Sequence, residues 1–212
     1  MAPVKKTRRS TKRKRYNRPL PGDRVQIDVT KIGPRCYQFT AIDDCTRLRV
    51  LRLYPDKTLN SSLSFLEEIT KTFPSPIQGI QCDWGTEFFN YIFQEALADQ
   101  CIKFRPIKPR SPHLNGKVER SQQTDKMEFY SLLNLIDKTL NLTGELTQWE
   151  EFYNKHRAHS SLQDKTPWAK YLEVQQQVPT YEQIRQLYSQ KKEEILARNY
   201  TFIQWKKKHS LS

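Results

Sequence analysis

Several features that would quickly place a chain of 212 residues are missing from this one. No apolar run approaches the roughly 20 residues needed to cross a bilayer, so a membrane-spanning helix is not expected. The N-terminus is charged, but no apolar segment follows it, so a secretory signal peptide is not expected. Cys36, Cys45, Cys82 and Cys101 form no Cys-x-x-Cys pair. They read as reduced, mostly buried thiols of a cytoplasmic protein. The four histidines supply no zinc module: His156 and His159 are three apart, but no cysteine pair complements them. No internal repeat is visible.

Acid is missing from residues 1–20, which hold nine Lys or Arg, densest at Lys12, Arg13, Lys14 and Arg15. Those nine account for most of the net charge of +13, leaving about +4 for the rest. Such an arm is too charged to collapse and reads as a disordered binder of polyanions. The bland alternative is a solubilising tail. Only 36% of the chain is hydrophobic and 28% is charged. The apolar residues fall into runs, so one medium domain with appendages is expected.

Residues 23–32 alternate, with Val25, Ile27 and Val29 on one side and Gln26, Asp28 and Thr30 on the other. Gly33-Pro34 is a turn. Strands are expected at 36–42 and 48–54, making an antiparallel meander with the first. A helix follows at about 58–73, stopped by Pro74 and Pro76, then a strand at 77–82 and a helix at 87–100. A fifth strand at 102–105 leads through a Pro-rich basic loop, 108–114, to a long helix starting near Asn115. That helix is expected to carry Val118, Phe129, Leu132, Leu133 and Ile136. Beyond Leu140 the chain is helical and aromatic, with a polar helix at 180–198 and a basic tail, Trp205 to Lys208. The expected division is 1–20 arm, 21–140 core, 141–172 helical C-terminal part of the core region, and 173–212 helical extension and tail.

Three acids stand in distinctive surroundings. Asp28 is mid-strand in Val25-Gln26-Ile27-Asp28-Val29-Thr30. Asp83 ends an apolar run and precedes Trp84-Gly85-Thr86-Glu87-Phe88. Glu119 lies in Ser111-Pro112-His113-Leu114-Asn115-Gly116-Lys117-Val118-Glu119-Arg120, with 35 residues between it and Asp83. Around them stand Gly22-Asp23-Arg24, Thr40-Ala41-Ile42-Asp43-Asp44-Cys45-Thr46-Arg47, Trp149, Tyr153-Asn154, Arg157, His159-Ser160-Ser161-Leu162 and Thr166-Pro167.

In these segments, from about Pro21 to Tyr171, the chain resembles the catalytic core of bacterial insertion-sequence transposases, relatives of retroviral integrases. The resemblance implies an α/β, ribonuclease-H-like fold: a five-stranded mixed sheet flanked by helices, here with a C-terminal helical extension. It implies that Asp28, Asp83 and Glu119 are the catalytic, metal-holding triad of a two-metal site taking Mg²⁺, with Mn²⁺ as a substitute, in a bacterial cytoplasm. The chemistry suits the residues. Two metals can serve both the attacking and the leaving oxygen of a phosphodiester. Mg²⁺ takes hard oxygen ligands and needs few carboxylates when substrate phosphates complete its shell.

Asp43 and Asp44 rival Asp28 for the first position but are better read as shaping a hairpin turn. Glu87 reads as a helix N-terminal acid, with an outer role beside Asp83 as the alternative. Gly85 is open between a turn glycine and one that lets DNA or metal approach. Lys108, Arg110, His113, Asn115, Lys117 and Arg120 suit phosphate contacts at the edge of the active site. Arg157 and His159 match an Arg-Pro-His segment of the family, with Ala158 in place of proline. His159 is more readily structural than catalytic.

The expected function is metal-dependent DNA strand cleavage and strand transfer by a transposase. The alternatives are a catalytically silent, truncated remnant that only binds DNA, and a nuclease of the same fold. The expected partners are DNA, further copies of the chain on DNA, and a separate helix-turn-helix subunit, since 20 residues before the core leave no room for one. The zinc domain of retroviral integrases is likewise not expected.

Overall fold

The computed structural model describes residues 17–107, 114–135, 137 and 139–209, with side chains to residue 201. Lys12, Arg13, Lys14, Arg15, Lys108, Arg110 and His113 lie outside the described residues, as does nearly all of the expected arm.

Five strands form one sheet: β1 (Val25–Gly33), β2 (Cys36–Asp43), β3 (Arg49–Tyr54), β4 (Gly79–Cys82) and β5 (Lys103–Pro106). The helices are α1 (Leu59–Thr72), α2 (Tyr91–Asp99), α3 (Gly116–Glu128), α4 (Leu142–Lys155), α5 (Pro167–Val174), α6 (Tyr181–Leu187) and α7 (Gln190–His209). The spatial order is β3-β2-β1-β4-β5. β1, β2 and β3 form the antiparallel meander; β4 and β5 add in parallel. This is the mixed, helix-flanked sheet of the ribonuclease-H-like expectation.

The period of two along the strands divides the sheet into two faces. Val25, Ile27, Phe39, Ala41, Val50 and Ile80 join the larger core, with Phe65 and Ile69 of α1 and Phe93 and Leu97 of α2. Phe39 sits at its centre, edge-on to Tyr54, Phe65 and Phe88 at 4.8, 5.4 and 6.0 Å. The opposite face, with Leu51, builds a smaller core with Phe129, Tyr130 and Leu146. Where the chain enters β1, Gly22 has φ +74°, and a Cβ there would lie 2.1 Å from the Pro76 carbonyl oxygen. Only glycine fits that crossing.

Three elements differ from the sequence expectation. α2 begins at Tyr91, because the Asn90 side chain accepts from the Ile92 and Phe93 N–H groups. Glu87 therefore lies in the preceding turn, not in the helix. α3 stops at Glu128, so Phe129, Leu132 and Leu133 are not in it. Packing decides this: Phe129 stacks on Trp149 at 5.7 Å, and the Tyr130 hydroxyl donates to the Gln38 side chain. The expected helix at 180–198 is broken between Leu187 and Gln190, where Tyr188 is extended (ψ 128°) and lines a cavity with Ile102 and Phe104.

The sheet edges are covered. The Asn154 side chain of α4 accepts from the Arg49 N–H (3.0 Å) and donates to the Arg49 carbonyl (2.8 Å), imitating a further strand beside β3. α7 covers β5, and Arg105 grips Glu193 through both terminal nitrogens at 2.6 and 2.8 Å. Cys45 and Cys82 are buried and Cys36 and Cys101 half-buried, all four as free thiols. Among the described residues, no helix is long and apolar enough to cross a membrane.

Candidate active site

Asp28 and Asp83 become neighbours through strand register. β1 and β4 pair in parallel at Val25–Ile80 and Gln26–Gln81. Asp28 is two residues beyond Gln26, and Asp83 two beyond Gln81, so both lie one pleat further along, on the face that carries α3. Asp28 is half-buried, and its Oδ1 accepts from the Val29 N–H at 2.9 Å. Asp83 is exposed, just past the carboxyl end of β4, where ligands meet open parallel sheets. Its Oδ1 accepts from the Gly85 N–H at 2.9 Å. Trp84 anchors this bend, stacking on Phe89 at 4.7 Å and donating its indole N–H to the Ile107 carbonyl.

Glu119 comes from the exposed side of the first turn of α3, and two glutamines hold that turn in place. Gln26 Oε1 accepts from the Val118 N–H at 3.2 Å. Gln81 Nε2 donates to the Leu114 carbonyl at 2.7 Å. These two are the register partners one pleat before the two aspartates. The residues that position the helix thus lie two positions before the two aspartates, Gln26 before Asp28 on β1 and Gln81 on β4 before Asp83.

The three acids share one electrostatic field. The Asp28 carboxyl is pushed up to about 6, first by burial and then by the negative charges of Asp83 and Glu119. The Val29 N–H and the Gln122 amide pull the other way. Gln122 is buried, and its Nε2 makes no full hydrogen bond among the described residues. Among those residues, no group of three or more His, Cys, Asp or Glu side chains is gathered closely enough to hold a metal ion unaided.

Asp43 and Asp44 are not at this site. Asp43 accepts from Gly22 N–H (2.9 Å) and from both the N–H and the hydroxyl of Thr46 (2.7 Å each), closing the hairpin turn. Asp44 Oδ1 accepts from Gln26 Nε2 at 2.9 Å and meets Lys117 Nζ at 2.6 Å. Lys117 is therefore turned to the β2–β3 connection. Arg120 is exposed on the same stripe of α3, and Asn115 is buried at the N-cap position without a side-chain cap bond. At Gly85, the space a Cβ would take is filled by the Glu87 carboxylate, 2.8 Å away.

Sequence reasoning missed the back of α3. Arg49 and Asp125 form an ion pair at 2.6 Å with side chains 0% and 1% exposed. Arg49 Nη1 also donates to Ser121 Oγ at 3.0 Å, and its guanidinium lies 3.4 Å from the Tyr153 ring centroid. Asp125 also accepts from Gln38 Nε2 (2.8 Å) and the Trp149 indole (2.7 Å). Arg49 Nε and Nη2 have no hydrogen bond among the described residues; the aromatic face below offsets part of that cost. The sequence carried no local signal for this pair: β3 holds a second arginine, Arg52, and Arg49 and Asp125 are 76 positions apart.

Two models of the integrase core domain match the chain, one over residues 18–112 and one over residues 100–167. ORF3 of Spiroplasma virus SpV1-C74, a candidate integrase, is 28% identical over 156 residues, covering 65% of this chain and 42% of its own length. The chain thus spans about two fifths of the length of that curated relative. The HTLV-2 integrase catalytic core domain, solved in complex with magnesium as a dimeric form, superposes with TM-score 0.59 at 21% identity, covering 70% of this chain and 95% of that one. The BIV integrase catalytic core domain gives 0.60 at 18% identity, covering 74% and 97%. A chain of the simian T-cell lymphotropic virus intasome gives 0.67 at 19% identity, covering 74% and 56%. At these identities the structural likenesses are likenesses of fold.

Proposed function

The chain belongs to the integrase core domain family, and from that premise we propose that it is a transposase or integrase catalytic domain that cuts a DNA strand and joins a 3′-hydroxyl to target DNA. The observation that carries this reading is that Asp28, Asp83 and Glu119, from separate elements, lie within one another's field: the Asp28 carboxyl is pushed up to about 6 first by burial and then by the negative charges of Asp83 and Glu119. Folding places like charges together only at a cost. A divalent cation removes that cost, and the donor set, hard oxygens alone, fits Mg²⁺ or Mn²⁺.

Asp28, Asp83 and Glu119 are the residues that would hold the ions. When bound, two such ions activate the attacking oxygen and neutralise the leaving oxygen of an in-line displacement. The chain's own residues set the frame. Gln26 and Gln81 fix the first turn of α3 and so the reach of Glu119. Gln122 favours the charged form of Asp28. Below about pH 6 the Asp28 carboxyl keeps its proton, so protons and cations compete for it. Asn115, Lys117 and Arg120, with Lys108, Arg110 and His113, would contact DNA phosphates, as would Lys12 to Arg15. The dimeric and intasome forms of the similar structures support several copies acting together on DNA.

One observation favours the catalytically silent alternative: no three-donor group is closed among the described residues. Mg²⁺ sites that use substrate phosphates as ligands need no closed protein cage. The test is to incubate the full chain with a duplex carrying recessed 3′ ends and a supercoiled plasmid, in Mg²⁺, Mn²⁺ or EDTA. Joined product with either metal and none in EDTA is expected. Cleavage without joining would instead identify a nuclease, and binding without any product a silent binder.

A further inference from the structure

Behind α3 the structure opens a second polar cavity, of about 500 Å³. Side chains three and four apart share one face of a helix. Lys117, Arg120, Ser121 and Thr124 form such a stripe and line this cavity, whereas Glu119 and Gln122 lie on the stripe toward Asp28. Arg47 and Arg157 line it from other elements, so the lining itself holds four cations and one acid, Asp164, with Asp43 and Asp44 beside Arg47. Ser160 and Ser161 add hydroxyl groups to the wall.

Some of this charge is already engaged. Lys117 meets Asp44, and Arg157 grips Glu128 through Nε and Nη2 at 2.7 and 2.6 Å. That fork leaves Arg157 Nη1 outside it. Arg120, which is exposed, makes no ion pair with any described residue. The net field is positive enough to act on a neighbour: His159, buried in the wall, is pushed down to about 4 by burial and then by Arg157, Arg49 and Arg47. Its Nε2 has no hydrogen-bond partner among the described residues.

Two further observations set this pocket apart from an ordinary solvated basic face. The 158–165 wall is prebuilt: the His159 N–H donates to the Lys165 carbonyl at 3.1 Å, and the Asp164 N–H to the His159 carbonyl at 3.0 Å. Gln163 and Asp164 are both left-handed, at φ +59° and +61°, a conformation non-glycine residues hold only when their surroundings impose it. At the rim, Asn17 Oδ1 accepts from Arg47 Nη2 at 3.0 Å and from Lys117 Nζ at 3.1 Å. The 16 residues leading into Asn17 carry eight Lys or Arg and no acid. The most cationic stretch of the sequence therefore joins the fold at this pocket.

We infer that the pocket lined by Arg47, Lys117, Arg120 and Arg157 is a phosphate site that holds the sugar–phosphate backbone of DNA, on the side of α3 away from the three carboxylates. The anion chemistry stands on the pocket itself; that the polyanion is DNA rests on the function proposed above. The pocket contacts backbone only, so it contributes affinity and placement without reading sequence. Protein cations that neutralise phosphates release counterions, and each such contact carries a slope of about −0.9 in log K against log salt.

The test is a salt titration of duplex binding by fluorescence anisotropy, with the full chain in EDTA, so that the carboxylate site has no part in it. Arg120→Ala is expected to flatten the slope by about 0.9. Arg120→Glu and Ser161→Glu, which place an anion in the pocket from opposite walls, are expected to lower affinity on the order of tenfold at low salt. Lys71→Glu, on α1, makes the same change of charge as Arg120→Glu and a larger one than Arg120→Ala or Ser161→Glu, yet is expected to change slope and affinity by less than any of them. Melting curves check that all variants are folded; Arg120 and Ser161 are both exposed. Slopes and affinities equal to those of the Lys71→Glu control would overturn the inference. A chain that binds in this way but never joins DNA leaves the pocket standing and defeats the proposed reaction. A chain that joins DNA with an unchanged Arg120→Ala slope does the reverse.

Discussion

On one side of α3, Glu119 shares a field with Asp28 and Asp83, and burial plus like charge raise Asp28 to about 6. On the other side, Asp125 meets Arg49 at 2.6 Å with both side chains sealed from water, and Gln38, Ser121 and Trp149 complete the bonding. The same helix thus carries an unbalanced group of acids and a balanced, buried ion pair. The difference separates two roles. Charges that hold a helix are paired and bonded in the folded chain. On the function proposed above, the acids left uncompensated are the ones a divalent cation would bind, and their repulsion is carried by the fold in its absence.

That contrast can be broken from the back first. Asp125→Ala leaves Arg49 buried without its counter-ion and is expected to cost about 3–5 kcal/mol, read from the midpoint of urea unfolding. Trp149→Phe keeps most of the stacking on Phe129 but removes a donor to a charged carboxylate. It should cost roughly 1.5–3 kcal/mol by the same measurement.

The two sides should also titrate with opposite sign. His159, held near 4 in the fold, stays neutral while an unfolded histidine takes a proton below its usual 6.5. Its stabilising contribution is complete above 6.5 and is lost as pH falls toward 4. Asp28, raised from 3.8 to about 6, behaves in reverse: its contribution is complete below 3.8 and is lost as pH rises through 6. The opposed slopes offset one another in the wild-type chain. Urea unfolding between pH 4 and 7 is expected to show that His159→Gln makes stability fall more steeply with rising pH. Asp28→Asn should make it fall more steeply with falling pH. Variant curves parallel to wild type would remove the electrostatic basis of the comparison. The smallest expected effect on stability is that of Asp83→Asn, at an exposed bend: within about 0.5 kcal/mol of wild type.

Much of the frame was legible in the sequence because it depends on local pattern. Alternation at Val25, Ile27 and Val29 marks β1, and Pro74 stops α1 where expected. The five-strand mixed sheet followed from the motifs that resemble transposase cores. The lengths of α2 and α3 were not legible, because neither end is set by Gly or Pro. Asn90 caps the first, and burial of Phe129 and Tyr130 ends the second, a tertiary cause. Around the candidate site, the three acids were proposed from their flanking residues, whereas the groups that hold the elements around them had no such local signal. Gln26 and Gln81 act only once strand register sets them side by side, and Arg49 finds Asp125 across 76 positions of sequence. The stripe of Lys117 and Arg120 looked like an active-site edge because both flank Glu119 in sequence; helical spacing turns it to the other side.

If Asp28, Asp83 and Glu119 act together on DNA through divalent cations, and the Arg49–Asp125 pair holds the fold, then changes at the three acids separate activity from stability. The most direct measurement is metal-dependent strand transfer by Asp28→Asn, Asp83→Asn and Glu119→Gln, each beside its own urea unfolding curve. All three are expected to lose joined product in Mg²⁺ and Mn²⁺ while remaining folded. Wild-type strand transfer by any one of them would contradict that joint action.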